Sequence, residues 1–117
     1  MRVRVLLVED DASNRVTLTA LLEDERFGVD EADSLAEARG LIAAGKTWDC
    51  VLLDLQLGDG RGTELVPCLR ASAPGARIVL MSGAAPDRAP PGIDVVVAKP
   101  ASFDRVLAAL RHPSATR

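Results

Sequence analysis

Several things are scarce in this chain of 117 residues, and each scarcity excludes something. There are two cysteines, Cys50 and Cys68, far apart and in no CxxC pair. Neither a zinc site nor a disulfide framework follows, and both read as buried thiols in a reducing compartment. The one histidine, His112, stands before Pro113 near the end of the chain and reads as solvent-exposed. The one tryptophan, Trp48, reads as a packing residue. No apolar run reaches the ~20 residues a membrane helix needs. The opening Met1-Arg2-Val3-Arg4-Val5 has no apolar core and no small-residue cleavage site, so no signal peptide is expected and a cytoplasmic location is the default. A net charge of −3 argues against a dedicated nucleic-acid binder. Repeats, linkers and low-complexity tracts are also missing.

What is there suits one globular domain over residues 1–117: 48% hydrophobic and 26% charged, long enough for its own core. Two segment types alternate. Short apolar, β-branched runs cover 3–8, 49–53, 77–81 and 94–98, with a weaker one at 28–32. Between them lie stretches with helical spacing: Val16, Leu18, Leu21 and Leu22; Leu35, Ala38, Leu41 and Ile42; Leu65, Val66 and Leu69; Phe103, Val106, Leu107 and Leu110. Ser34 and Glu37 make a capping box, and Gly45 and Pro74-Gly75 supply stops. Runs such as Val51-Leu52-Leu53 and Val95-Val96-Val97 do not alternate with polar residues, which predicts strands covered on both faces. Alternating β and α then gives an α/β fold with a parallel sheet. One crossover breaks the rhythm. Pro86, Pro90, Pro91 and Gly92 leave room for at most a turn or so of helix between Ser82 and Asp94.

Ligands of open parallel sheets bind beyond the C-terminal strand ends. There the sequence places Glu9, Asp10 and Asp11 after the first run, Asp54 after the third, Ser82 after the fourth and Lys99 after the fifth. Crowded carboxylates repel one another, and a hard divalent cation relieves that repulsion; Mg²⁺ prefers one or two carboxylates plus waters and phosphate oxygens. With its neighbours partly neutralised, Asp54 can attack phosphorus, as carboxylates do in acyl-phosphate intermediates. Mg²⁺, Lys99 and the Ser82 hydroxyl could share the phosphoryl charge. The run Gly58-Asp59-Gly60-Arg61-Gly62 fits neither a P-loop nor a dinucleotide fingerprint. It reads as a flexible turn in which Gly62 supplies a special backbone angle. Asp11 suits the start of the first helix.

The stretches Leu6–Asp11, Trp48–Leu55 with Gly62 and Leu65, Val79–Gly83, and Ala98-Lys99-Pro100 together resemble the receiver domain of two-component response regulators, over essentially the whole chain. The resemblance implies a flavodoxin-like, doubly wound, five-stranded parallel sheet of order 2-1-3-4-5. It implies Asp54 as phosphoacceptor, and Mg²⁺ held by Glu9, Asp10, Asp54 and the backbone carbonyl of Gln56. It also implies Ser82, Gly83 and Lys99 around the phosphoryl group, with Pro100 after a cis peptide bond. Partners would be a histidine kinase or histidine phosphotransfer protein and an unknown downstream protein, with no membrane contact. Such a chain is a signalling switch, not a metabolic enzyme, and catalyses only its own phosphorylation and dephosphorylation. It stands alone or forms the receiver part of a longer regulator.

The chain departs from the family in places. Gly58 replaces the usual proline, and Val96 the aromatic switch residue. With the fourth helix shortened by prolines, neither the usual switch nor the usual dimer surface is expected. The pattern resembles a receiver subgroup with a degenerate fourth helix. Gln56 and Ala84 occupy positions that influence phosphoryl lifetime in the family. Two alternatives remain. One is a pseudo-receiver that binds proteins without being phosphorylated. The other is an aspartate-nucleophile phosphohydrolase, which needs a second acid where Gln56 stands.

Overall fold

The computed structural model describes residues 2–83 and 89–111. In chain order it contains β1 (Arg4–Val8), α1 (Ala12–Asp24), β2 (Gly28–Ala32), α2 (Leu35–Ala43) and β3 (Cys50–Asp54). A short ribbon follows, β4 (Gln56–Leu57) with β5 (Gly60–Arg61), then a 3-10 turn (Gly62–Leu65) and α3 (Val66–Ser72). The chain continues with β6 (Arg77–Ser82), β7 (Val95–Ala98) and α4 (Phe103–Arg111). Five strands form one parallel sheet, ordered β2-β1-β3-β6-β7. Counting only those five along the chain, this is the expected 2-1-3-4-5. The antiparallel β4–β5 ribbon was not anticipated.

Successive strand residues point to opposite faces, and here both faces are covered. Leu6, Val8, Val51, Leu53, Ile78 and Leu80 pack with α2, the 3-10 turn and α3 through Leu35, Ala38, Leu65 and Leu69. Val5, Leu7, Leu52, Val79, Met81 and Val97 pack with α1 and α4 through Leu22, Val106 and Leu110. All of β3 is buried, which is why its sequence does not alternate. Trp48 packs in the first of these clusters and donates its indole N–H to Asp30 at 2.8 Å.

The first helix corrects the predicted apolar face. Leu22 is buried and Leu18 half-buried, but Val16 is 63% exposed and Leu21 38%. At 100° per residue, Leu18 and Leu22 share a face, while Val16 points nearly opposite. Cys50 is buried, and burial pushes its thiol up to about 11. Cys68 is only half-buried, on the partly covered side of α3, with its thiol on the Leu65 carbonyl at 3.2 Å. Gly62 also differs from expectation. Its φ is not positive; a Cβ there would collide with the Asp54 carbonyl and the Leu53 side chain. The glycine is needed for close approach to the strand that carries Asp54.

Asp11 caps α1, its Oδ1 accepting from Asn14 N at 2.8 Å. Ser34 Oγ caps α2 by accepting from Glu37 N at 3.1 Å. The Glu37 carboxylate reaches back to Asp33 N at 2.7 Å, one residue before the capping-box position. No helix lies among the described residues between β6 and β7; Ala84 and Pro86 fall outside them, as does His112. Gly92 and Asp94 are held instead by Arg70 of α3. Its Nη2 donates to the Gly92 carbonyl and to Asp94 Oδ2, both at 2.8 Å. Asp94 Oδ2 also accepts from Ile78 N at 2.8 Å, which sets the entry to β7 against β6.

Candidate functional site

The register of the sheet assembles the site. Val8 of β1 pairs with Leu53 of β3, so Glu9 and Asp54 follow side by side. Asp54 pairs with Met81 of β6, and Ser82 with Ala98 of β7, which brings Lys99 to the same edge. Backbone bonds finish the frame: Glu9 N to the Ala32 carbonyl at 3.0 Å, Leu55 N to Met81 at 2.9 Å and Lys99 N to Ser82 at 2.8 Å.

Lys99 Nζ donates to Asp54 Oδ2 at 2.9 Å and lies 3.8 Å from Glu9 Oε1. Glu9, Asp54 and Ser82 are the buried polar residues of the described chain, while Asp10 is exposed. Glu9 Oε2 accepts from Asp11 N at 3.1 Å, and Arg15 Nη1 donates to the Glu9 carbonyl at 2.9 Å. Gln56 N lies 3.4 Å from Asp54 Oδ1. Burial pushes the Glu9 carboxyl up to about 7; the Asp54 charge adds to that rise, and the Asp11 N–H and Lys99 oppose it. Burial alone would lower Lys99. The hydrogen bond to Asp54, with the charges of Asp54, Glu9 and Asp10, outweighs it and holds the ammonium above its ordinary value.

Glu9, Asp10 and Asp54 each offer one oxygen within 4.8 Å of the others. Three carboxylates face one ammonium, so the cluster keeps an excess of negative charge. Its donors are all hard oxygens, and one ligand is open to solvent through Asp10. That set fits Mg²⁺ or Ca²⁺ and suits no soft metal.

The structure thus gathers Glu9, Asp10, Asp54, Ser82 and Lys99 at one edge. The Lys99–Pro100 peptide is cis. A Cβ built on Gly83 would meet no described atom within 4 Å. Gln56 is exposed and opens the ribbon beside Asp54, and Val96 is half-buried in β7. Glu9, Lys99 and Pro100 also line a cleft of about 370 Å³, walled by Leu18 and Leu21 of α1 and by Phe103 and Val106 of α4. The cleft accounts for the exposure of Leu21.

Two supporting residues escaped the sequence reading. Arg15 ties α1 to the Glu9 backbone and to Glu31, at 3.3 Å. Asp59, expected in a flexible turn, accepts from Leu35 N at 2.9 Å and Ala36 N at 3.1 Å. The Leu35 bond, aided by the Ala36 bond, holds its carboxyl below the usual range. Neither contact is local in sequence, so no spacing signal announces it.

The sequence matches the family model described as response regulator receiver domain over residues 5–111. It is 33% identical over 113 residues to the acid tolerance regulatory protein ActR of Sinorhizobium medicae, covering 91% of this chain and 57% of that protein. It is 35% identical over 79 residues to the alginate biosynthesis transcriptional regulatory protein AlgB of Pseudomonas putida, covering 68% of this chain and 17% of that protein. The chain therefore spans only part of these relatives. Among solved structures it is similar to a Burkholderia pseudomallei response regulator crystallised with a phosphorylated aspartic acid, calcium ion and citrate. The TM-score is 0.84 at 30% identity, over 94% of this chain and 67% of that one. It is also similar to the response regulator TrrA of Thermotoga maritima in complex with Mg²⁺ and BeF, with TM-score 0.78 and 26% identity over 92% of this chain and 94% of that one.

Proposed function

We start from the family of response regulator receiver domains, to which this chain belongs, and propose that residues 1–117 form a single receiver phosphorylated on Asp54 by a histidine kinase or histidine phosphotransfer protein. One observation carries the proposal. The buried Asp54 carboxylate sits 2.9 Å from Lys99 Nζ, at an edge where Glu9 and Asp10 bring further oxygens within 4.8 Å. In the transfer, an Asp54 carboxylate oxygen forms the new bond to phosphorus. The bond from phosphorus to the donor imidazole nitrogen breaks, its electron pair staying on the nitrogen. Lys99 answers the charge that gathers on the phosphoryl oxygens, and the Ser82 hydroxyl with the Gly83 backbone faces the same group. Glu9, Asp10, Asp54 and the Gln56 carbonyl would hold Mg²⁺, which when bound neutralises phosphoryl charge. Water attacking phosphorus later returns the carboxylate and releases inorganic phosphate.

The proposal includes a cytoplasmic location, in keeping with two free thiols. No described helix is long and apolar enough to cross a membrane. The downstream partner is a protein, reached either by this domain alone or as part of a longer regulator.

The test is intact mass after incubation with a small acyl-phosphate donor and Mg²⁺, for the wild type and Asp54→Ala. The expected result is a phosphoryl-sized gain that needs Mg²⁺ and disappears in the variant. No gain, together with no binding of a beryllofluoride phosphoryl mimic, would sink the proposal in favour of a binding module that is never phosphorylated.

A further inference from the structure

The loop after Asp54 is built from residues that favour looseness. Gly58, Gly60 and Gly62 fall within five positions, and no proline stiffens them. The structure nevertheless ties the loop down at three points. Leu57 is buried among the side chains of α2 and α3, and the ribbon pairs Gln56 with Arg61 and Leu57 with Gly60. Gly60, with φ +148°, lies on the first residue of α2, close enough that a Cβ would sit 2.6 Å from Leu35 Cδ1. At the tip between them, Asp59 Oδ1 accepts from Leu35 N at 2.9 Å and Oδ2 from Ala36 N at 3.1 Å.

These bonds divide the first-turn donors of α2 between two sources. Ser34 satisfies Glu37 N from the helix's own flank, while Asp59 satisfies Leu35 N and Ala36 N across 24 and 23 residues of sequence. The other side of the loop faces the acid edge: a Cβ at Gly58 would lie 3.9 Å from Asp10 Oδ2. The loop therefore bridges α2 and the carboxylates, with Gln56 at its root. Releasing the tip would leave Gln56 held only by the two-residue ribbon and by buried Leu57, on a glycine-rich chain.

We propose that Asp59 is a positioning residue for the cation site, locking the loop onto the N-terminus of α2 so that the Gln56 backbone stays where a divalent cation needs it. The inference rests on the reading of Glu9, Asp10, Asp54 and Gln56 as cation ligands. Outer supports of metal ligands are commonly worth about tenfold to a hundredfold in affinity. Asp59 is exposed, and water competes for its bonds, so the effect belongs at about the lower figure.

The experiment titrates Mg²⁺ into the metal-free full chain by calorimetry. It also follows the phosphorylation rate against Mg²⁺ concentration, for wild type, Asp59→Ala, Asp59→Asn and Ser34→Ala. Asp59→Ala is expected to raise the half-saturating Mg²⁺ about tenfold and leave the limiting rate at saturating Mg²⁺ unchanged. Asp59→Asn keeps one acceptor oxygen and should fall between. Ser34→Ala frays the same helix without touching the loop, so it should lower the melting temperature and leave Mg²⁺ affinity alone. Wild-type affinity in Asp59→Ala overturns the proposal. So does equal weakening by Ser34→Ala, which would reduce the effect to helix stability. Identical losses in the Asn and Ala variants would do the same, since they would point to bare charge. Absence of Mg²⁺ binding by the wild type would instead bring down the underlying site assignment, and would be seen before any variant is compared.

Discussion

Two charged clusters in this molecule are opposite in their charge arithmetic. On edge strand β2, one oxygen of Asp30 gathers Arg4 Nη2 at 2.7 Å, Trp48 Nε1 at 2.8 Å and Lys46 Nζ at 3.6 Å. At the strand ends, Asp54 and Glu9 pair with the ammonium of Lys99, and Asp10 adds a third carboxylate within 4.8 Å of the other two. The first sets two cations and an indole N–H against one carboxylate, so it has no deficit of positive charge. The second keeps an unmet demand for positive charge in a partly buried place. Structural carboxylates are built to be satisfied, while a binding site is built with a deficit that its ligand fills.

Breaking the deficient cluster gives the larger effect. Lys99→Ala leaves Oδ2 of buried Asp54 without its donor, and without divalent cation it should cost about 1–3 kcal/mol in denaturant unfolding. Mg²⁺ should recover part of that loss, while the rate of phosphoryl gain from a small donor should fall at least about tenfold. A metal-free variant as stable as wild type would show that the ammonium is not needed to hold the acids together. Asp30→Ala strands the Trp48 and Arg4 donors and should cost about 1–2 kcal/mol, with Mg²⁺ affinity and phosphorylation unmoved. Any change in Mg²⁺ affinity there would erase the distinction between the two clusters.

The smallest effects are in pH, and they run in opposite directions. Folding raises Glu9 from 4.5 to about 7, so the folded chain binds this proton more tightly than the unfolded one. The Glu9 contribution to metal-free stability is present at low pH and is lost as pH rises from 4.5 through about 7; Glu9→Gln should flatten that slope in urea midpoints. Burial works to raise Asp30, but the Trp48 and Arg4 bonds outweigh it and its pKa is lowered from 3.8. Its contribution is present above 3.8 and lost as pH falls through the folded value, and Trp48 fluorescence can follow the loss in the same acid titration.

The contrast also marks how far the sequence could be read. Glu9, Asp10, Asp54, Ser82 and Lys99 were legible because a parallel sheet turns chain order into a common edge, and strand ends can be seen in apolar runs. The Asp30 cluster was not legible. Arg4, Asp30 and the Lys46–Trp48 segment are distant in sequence, and only strand register and a loop bring them together. Asp59 was hidden for the same reason, its glycine neighbours suggesting mobility where a helix start supplies two donors. On α1, apolar type outweighed angular position, and Val16 and Leu21 were placed inward although the cleft beside Lys99 leaves one of them open.

The place of β7 in the sheet has a further consequence. It is the last strand of the order β2-β1-β3-β6-β7 and, among the described residues, pairs with β6 alone, whereas β3, which carries Asp54, is paired on both sides. Marginal strands open locally at lower free energy than central ones. Lys99 is thus tethered to an edge of the sheet, and its partner to the centre. Each opening of the edge strand would carry the Lys99 backbone away from Asp54, and amide exchange along Val95–Ala98 would read how often that happens.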